Sequence, residues 1–168
     1  MLTPPPEPGD SPLSMPSDTH DWTAGLPQTE HVRFFRTTDW ARTMLGPLKS
    51  WSPTLQLFAS YVLSDSRAAC LWWGQIDSLT AIYNESYAPL AADAHPKLMG
   101  ATFQEGYPDL WPSIRQYFEQ AKRTGEGVNY SSAASTLVER NGYREEAFFS
   151  GGFVPVGIPM IEGFINTT

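Results

Sequence analysis

The stretch Leu71-Trp-Trp-Gly-Gln-Ile-Asp-Ser-Leu-Thr-Ala-Ile-Tyr-Asn-Glu-Ser-Tyr-Ala-Pro-Leu90 constrains the chain more than any other. Leu71, Trp72 and Trp73 form a bulky apolar run. Gly74 to Ser78 reads as a turn, and Leu79 to Tyr83 as a second short strand. Beyond Asn84 the apolar residues fall at Tyr83, Tyr87 and Leu90, a helical spacing. A strand-turn-strand-helix unit this aromatic needs a sheet beside it and helices above it. Alternation along the first strand puts Trp72 and Trp73 on opposite faces. One is expected in the core, and the other against the N-terminal helices, a second subunit or solvent. An exposed tryptophan there would mark a dimer or docking face.

The remaining sequence supplies those layers. Residues 1 to 30 read as a disordered Pro/Ser-rich tail with few core-forming side chains. Residues 31 to 66 read as an N-terminal helical segment, in which Val32, Phe34 and Phe35 suggest a short extended piece. Thr38 or Asp39 then caps a brief helix through Trp40 and Met44, with Gly46 as its left-handed stop. Ser52 is an N-cap and Pro53 sits in the first helical turn. Leu55, Phe58 and Val62 make one apolar face, and the helix should end near Ser64 to Ser66. After irregular turns around Pro96 and Gly100, a longer helix carries Leu110, Ile114, Tyr117, Phe118 and Ala121 up to Gly125. Strand-like patterning follows in Val128–Val138, Tyr143–Val156 and Met160–Ile165. Asn141-Gly142 is the strongest hairpin signal, and Gly151-Gly152 is the expected place for a bend or bulge. Strands flanking a helical block, without βαβ alternation, indicate an α+β fold with an antiparallel sheet over residues 67 to 168.

The 168 residues suffice for one domain with a real core. The net charge of −7 argues against nucleic acid, since phosphate binding needs clustered Lys and Arg and the eleven here are scattered. No run of eighteen apolar residues is present, so no membrane association is expected, and the N-terminus is unlike a secretory signal. A cytoplasmic location is the expectation, with the nucleus as the alternative. Cys70 is the single cysteine and lies in an apolar run, where a buried thiol is the ordinary outcome. The three histidines are far apart and no Cys/His pair has ligand spacing, so no metal is expected.

The order of elements matches a PAS domain, and particular residues extend the match. Asp39-Trp40, Leu45-Gly46-Pro47, Trp51-Ser52-Pro53, Leu71-Trp-Trp-Gly74, Ile82-Tyr-Asn-Glu-Ser-Tyr-Ala-Pro-Leu90, His95-Pro96 with Leu98-Met-Gly100, and Leu137-Val-Glu-Arg-Asn-Gly142 occur in sequence. Together they resemble the N-terminal PAS sensor region of fungal hybrid histidine kinases and related bacterial sensor kinases, over about residues 35 to 166. The resemblance implies a five-stranded antiparallel sheet of order 2-1-5-4-3 with helices on one face. It also implies a sensing or dimerising role in a two-component phosphorelay, with the last strand feeding a signalling helix. Because the sequence stops at Thr168, a fragment, a truncated paralogue or a stand-alone module is expected. The partners so implied are a second copy or a PAS-containing kinase.

No phosphoacceptor histidine or ATP-binding loop is recognisable, so the chain is not expected to be an enzyme. A flavin-adduct sensor needs its cysteine on a helix, whereas Cys70 lies at the first strand. A haem sensor commonly uses a histidine on the long helix, and Leu110–Thr124 has none. No cofactor is therefore expected, although a small ligand would fit a cleft lined by Tyr83, Tyr87, Trp111, Phe118 and Phe149. A filled core is the competing reading of those rings. The alternative function is a small hydrolase or isomerase using His95 with Glu139, Glu145 and Glu146 of the 139–146 hairpin. It requires His95 within hydrogen-bond reach of a Glu or Ser.

Overall fold

The structure is a computed structural model and describes residues 21–131, 136–147, 150–157 and 160–167. It is built on a five-stranded antiparallel sheet. The strands are β1 (Ala69–Trp73), β2 (Thr80–Tyr83), β3 (Val128–Ser131), β6 (Ser150–Val156) and β7 (Gly163–Thr167). Their order is β2-β1-β7-β6-β3. Between β3 and β6 the chain makes a separate two-stranded ribbon, β4 (Thr136–Arg140) with β5 (Tyr143–Ala147). With that ribbon set aside, the order is the 2-1-5-4-3 that the sequence implied, in a PAS-like α+β architecture.

Among the described residues the α-helices are α1 (Glu30–Thr37), α2 (Pro53–Ser64), α3 (Ala88–Ala91), α4 (Phe103–Gly106) and α5 (Trp111–Thr124). Ser52 caps α2, its hydroxyl accepting from the Leu55 amide at 3.2 Å, and Pro53 occupies the first turn. Thr102 and Glu105 cap α4 reciprocally. Gly125 ends α5 at φ +72°, where a left-handed residue is required. Ile114, Phe118 and Ala121 form the buried stripe of α5, joined at its start by Trp111.

The β1–β2 side of the sheet is covered on both faces. Cys70 and Trp72 point to the side on which α3, α4 and α5 pack, with the Trp72 and Phe103 rings tilted against each other at 4.6 Å between centroids. Leu71 and Trp73 point the other way, where α2 lies, and Trp73 meets Phe58 at 6.2 Å. All five residues of β1 are consequently buried. Only one of the two tryptophans was expected in the core; both are, at 0% and 7% exposure. Neither side chain is left on the surface to form a docking face. Gly163 makes room on the α2 side: a Cβ there would lie 2.6 Å from Trp73 Cε3 and 2.8 Å from the Trp72 carbonyl oxygen.

Several local expectations are corrected. Val32 and Phe35 lie on a helix rather than an extended piece, because Thr29 caps it and the two bury one face at i, i+3 spacing. The stretch expected to be tail is structured from Asp21. Asp21 caps a 3-10 turn, Trp22–Gly25, and Trp22 packs on Trp51 at 5.6 Å. Trp22, Phe35, Trp40 and Trp51 form a second aromatic cluster, in which Trp40 and Trp51 meet edge to face at 5.0 Å. The helix expected from Asp39 is a short 3-10 turn, Trp40–Arg42, with no side-chain cap. Gly151 and Gly152 are ordinary ladder positions opposite Tyr130 and Asn129, so they make no bulge. The two long strands expected here are described as Val128–Ser131 with Thr136–Arg140 and as Tyr143–Ala147 with Ser150–Val156. The last strand starts at Gly163, because Met160–Glu162 first completes a turn closed by the Glu162 amide on the Val156 carbonyl.

Candidate functional site

Cross-strand register determines which side chains meet under the helices. Cys70 is opposite Tyr83 and Asn166, Trp72 opposite Ala81 and Phe164, and Asn166 opposite Phe153. These residues therefore share the inner face. The helical side adds Tyr87, Phe103, Tyr107, Trp111 and Phe118. Phe118 is the centre of the contacts, 4.3 Å from Phe153, 4.9 Å from Phe164 and 5.5 Å from Phe103. Tyr83 and Tyr87 meet at 5.7 Å, and Trp111 lies 6.2 Å from Phe118. Of the residues expected to line a cleft, Tyr83, Tyr87, Trp111 and Phe118 are all buried in this one ring cluster. Phe149 lies outside the described residues.

The interior is electrically neutral. Burial pushes the Cys70 thiol and the Tyr87 hydroxyl far up. It does the same to Tyr83 and Tyr107. None of these groups ionises near neutral pH, so the space under the helices disfavours a charged molecule. Two polar atoms there have no protein partner. They are Nε1 of Trp72, a donor, and Oδ1 of Asn166, an acceptor. They come from adjacent strands and the same face, one ladder step apart on the diagonal. A buried donor and acceptor left unpaired each cost about 1–3 kcal/mol. Unpaired buried atoms are uncommon enough that a bound water or ligand is the usual explanation.

A second cluster lies at the β2 edge. His31 of α1 donates from Nε2 to the Tyr83 carbonyl oxygen at 2.7 Å, since a carbonyl can only accept. The Tyr83 hydroxyl and His95 Nδ1 are also 2.7 Å apart. The two imidazoles stack with centroids 6.3 Å apart, and Phe34 sets its edge against both. Desolvation and the neighbouring His31 hold His95 below the ordinary histidine value. His31 stood at the end of the expected tail, and nothing in its sequence neighbourhood linked it to His95. A helical reading of residues 30 to 37 would have raised it, because that places His31 beside Phe34 and Phe35 on one surface.

Asn84 was also missed as an individual residue. It is 2% exposed and fully bonded. Its Oδ1 accepts from the amides of Ala69 and Tyr87, and its Nδ2 donates to the carbonyls of Asp65 and Arg67. An Asn directly after a strand and before a helical turn is the signal that finds it.

His95 has Tyr83 as its hydrogen-bond partner, and no Glu or Ser bonds it among the described residues. The 139–146 ribbon does reach the neighbouring segment, where the Asn141 amide donates to Asp93 Oδ1 at 3.2 Å. The side chains of Glu139, Glu145 and Glu146 lie outside the described part. Among the described residues no three His, Cys, Asp or Glu side chains converge as metal ligands, and no helix is long and apolar enough to cross a membrane. Tyr117 is set against Tyr130 of β3 at 5.1 Å.

No protein-family model matches the chain, and no curated protein matches it. Solved structures similar to the chain include the two that follow. The PAS domain of Bordetella pertussis BvgS aligns at 14% identity and TM-score 0.44, over 69% of this chain and 85% of that one. An RNA-binding light-oxygen-voltage receptor aligns at 18% identity and TM-score 0.46, over 74% of this chain and 35% of that one. The chain thus spans about a third of the receptor's length. Strand order and helix placement, rather than these partial overlays, define the architecture as PAS-like.

Proposed function

We propose that this chain is a non-catalytic PAS-type sensor module of a two-component phosphorelay protein, a fragment or truncated relative of a hybrid sensor histidine kinase. The observation that carries this reading is the unpaired Trp72 donor and Asn166 acceptor on the neutral inner face. Asn166 belongs to β7, the central strand between β1 and β6 and the last in the chain. A small uncharged molecule that completed both hydrogen bonds would act directly on that strand. A change there would pass to whatever β7 feeds, as a shift between two arrangements of sheet and exit. No flavin adduct and no haem are part of the proposal, and the chain itself performs no chemistry.

Self-association, or pairing with a PAS-containing kinase, belongs to the same reading. The surface it assigns to pairing is the outward side of α2 rather than Trp72 and Trp73. Residues Pro53–Ser64 include no charged side chain. Leu57 and Tyr61, four apart, are 65% and 51% exposed. An uncharged helix that is apolar on both sides is usually covered.

A thermal-shift screen with small neutral compounds that carry a donor and an acceptor tests the sensor reading. Compounds that raise the Tm of the native chain but not of Asn166→Leu support it. A screen in which no compound distinguishes the two proteins contradicts it. Sedimentation velocity over a concentration series tests pairing: association that Tyr61→Glu abolishes is the expected result.

A further inference from the structure

The histidine pair at the β2 edge is used by nothing in the sensor reading. It joins two parts of the fold that have separate aromatic clusters. His31 is 8% exposed on α1, and His95 is half-buried in the segment between α3 and α4. Both bind one residue, Tyr83, His31 through its backbone carbonyl and His95 through its hydroxyl. The groups facing His95 are His31 and Phe34 from α1 and Tyr83 from β2. Its own segment carries Asp93, which accepts from Asn141 of the ribbon, and Lys97. His31 faces Phe34, Tyr83 and His95, with Glu30 and Arg33 on its own helix. Among the described residues neither ring has a carboxylate at ion-pair distance. Among the described side chains nothing compensates a proton on His95; Glu139 and Arg140, on the ribbon strand packed beside this segment, have side chains outside the described part.

We infer that His95, stacked on His31 and bonded to Tyr83, is a proton-operated clasp, which holds α1 and its aromatic cluster against the sheet edge when its ring is neutral and releases it when that ring is protonated. In the neutral tautomer that carries its proton on Nε2, the Tyr83 hydroxyl donates to Nδ1 of His95. A proton on Nδ1 makes that atom a donor and reverses the bond. The same proton places a positive charge on a half-buried ring that packs against Phe34 and the His31 ring. The sign follows from linkage. His95 in the fold binds its proton less readily than in the unfolded chain. Attachment is therefore complete above the ordinary histidine value and weakens as pH falls through it. The inference does not depend on whether the interior takes a ligand.

Amide hydrogen exchange on the full chain tests it, with protection factors for Glu30–Thr37 compared with those for Trp111–Thr124 at each pH. Between about pH 7.5 and about pH 5.5, α1 should lose protection on the order of tenfold relative to α5, the scale of one buried hydrogen bond lost. His95→Gln, which keeps an acceptor for Tyr83 without a titrating ring, should remove the difference. Protection of α1 that tracks α5 across the range would overturn the inference, and the wild-type comparison decides this even if the variant does not fold. A pH response that persists unchanged in His95→Gln would overturn it as well.

Discussion

Asn84 joins four backbone groups from the end of α2, the start of β1 and the turn after β2. Each bond contributes about 1 kcal/mol net, and unpaired buried partners cost more. Asn84→Ala should lower stability by about 3 kcal/mol in urea unfolding. Asn84→Asp should be at least as damaging, because it replaces the donating amide by an oxygen facing two carbonyls. If both variants unfold at the wild-type midpoint, the cross-link has no energetic role. Cys70 gives a second test at this scale. It is fully buried and its thiol is pushed up by burial, so little thiolate forms. It should resist an aromatic disulfide reagent at pH 8 in native protein and react promptly once urea unfolds the chain; rapid reaction in the native state would mean that the strand is accessible. Burial of Cys70 was legible because a lone cysteine in an apolar run is ordinarily inside. The four bonds of Asn84 were not, because three of the groups lie 15 or more positions away.

Elements announced by local chemistry were readable, and those set by tertiary placement were not. Ser52-Pro53 and the spacing of Leu55, Ala59 and Val62 mark α2 from the sequence alone. Asn141 and Gly142 take positive φ of 53° and 77°, as a two-residue hairpin turn demands. Helix α1 was hidden because Val32, Phe34 and Phe35 look like a strand fragment until Thr29 is recognised as a cap. Burial of both tryptophans was hidden because it depends on α2 covering the second face of β1. The inner-face site was half legible: its rings follow from aromatic content, while the diagonal placement of Trp72 and Asn166 on one face follows from register between β1 and β7. Register also makes a prediction. Gly163→Val should drive a side chain into Trp73 and the Trp72 carbonyl, and cost about 1–3 kcal/mol or more. Phe118→Ala should cost about 3–5 kcal/mol, since its ring contacts Phe103, Trp111, Phe153 and Phe164. Denaturant unfolding of the two variants measures both, and a Gly163→Val protein as stable as wild type would mean that β7 does not pass under Trp73 as described.

At the scale of the molecule, the sheet separates two kinds of packing. On one side α2 covers Leu71 and Trp73. On the other, a neutral aromatic interior contains one unpaired donor and one unpaired acceptor. The central strand β7 borders both. That placement supports a module that converts occupancy of its interior into a change along its last strand. The most direct test is to follow the Trp72 indole N–H resonance and the amides of Gly163–Thr167 by NMR while neutral small molecules with a donor and an acceptor are titrated in. The account predicts that a binding compound shifts the Trp72 indole and the β7 amides together, and that Asn166→Leu abolishes both shifts. Binding that moves surface resonances while leaving Trp72 and β7 unchanged, or no binding by any such compound, would contradict it.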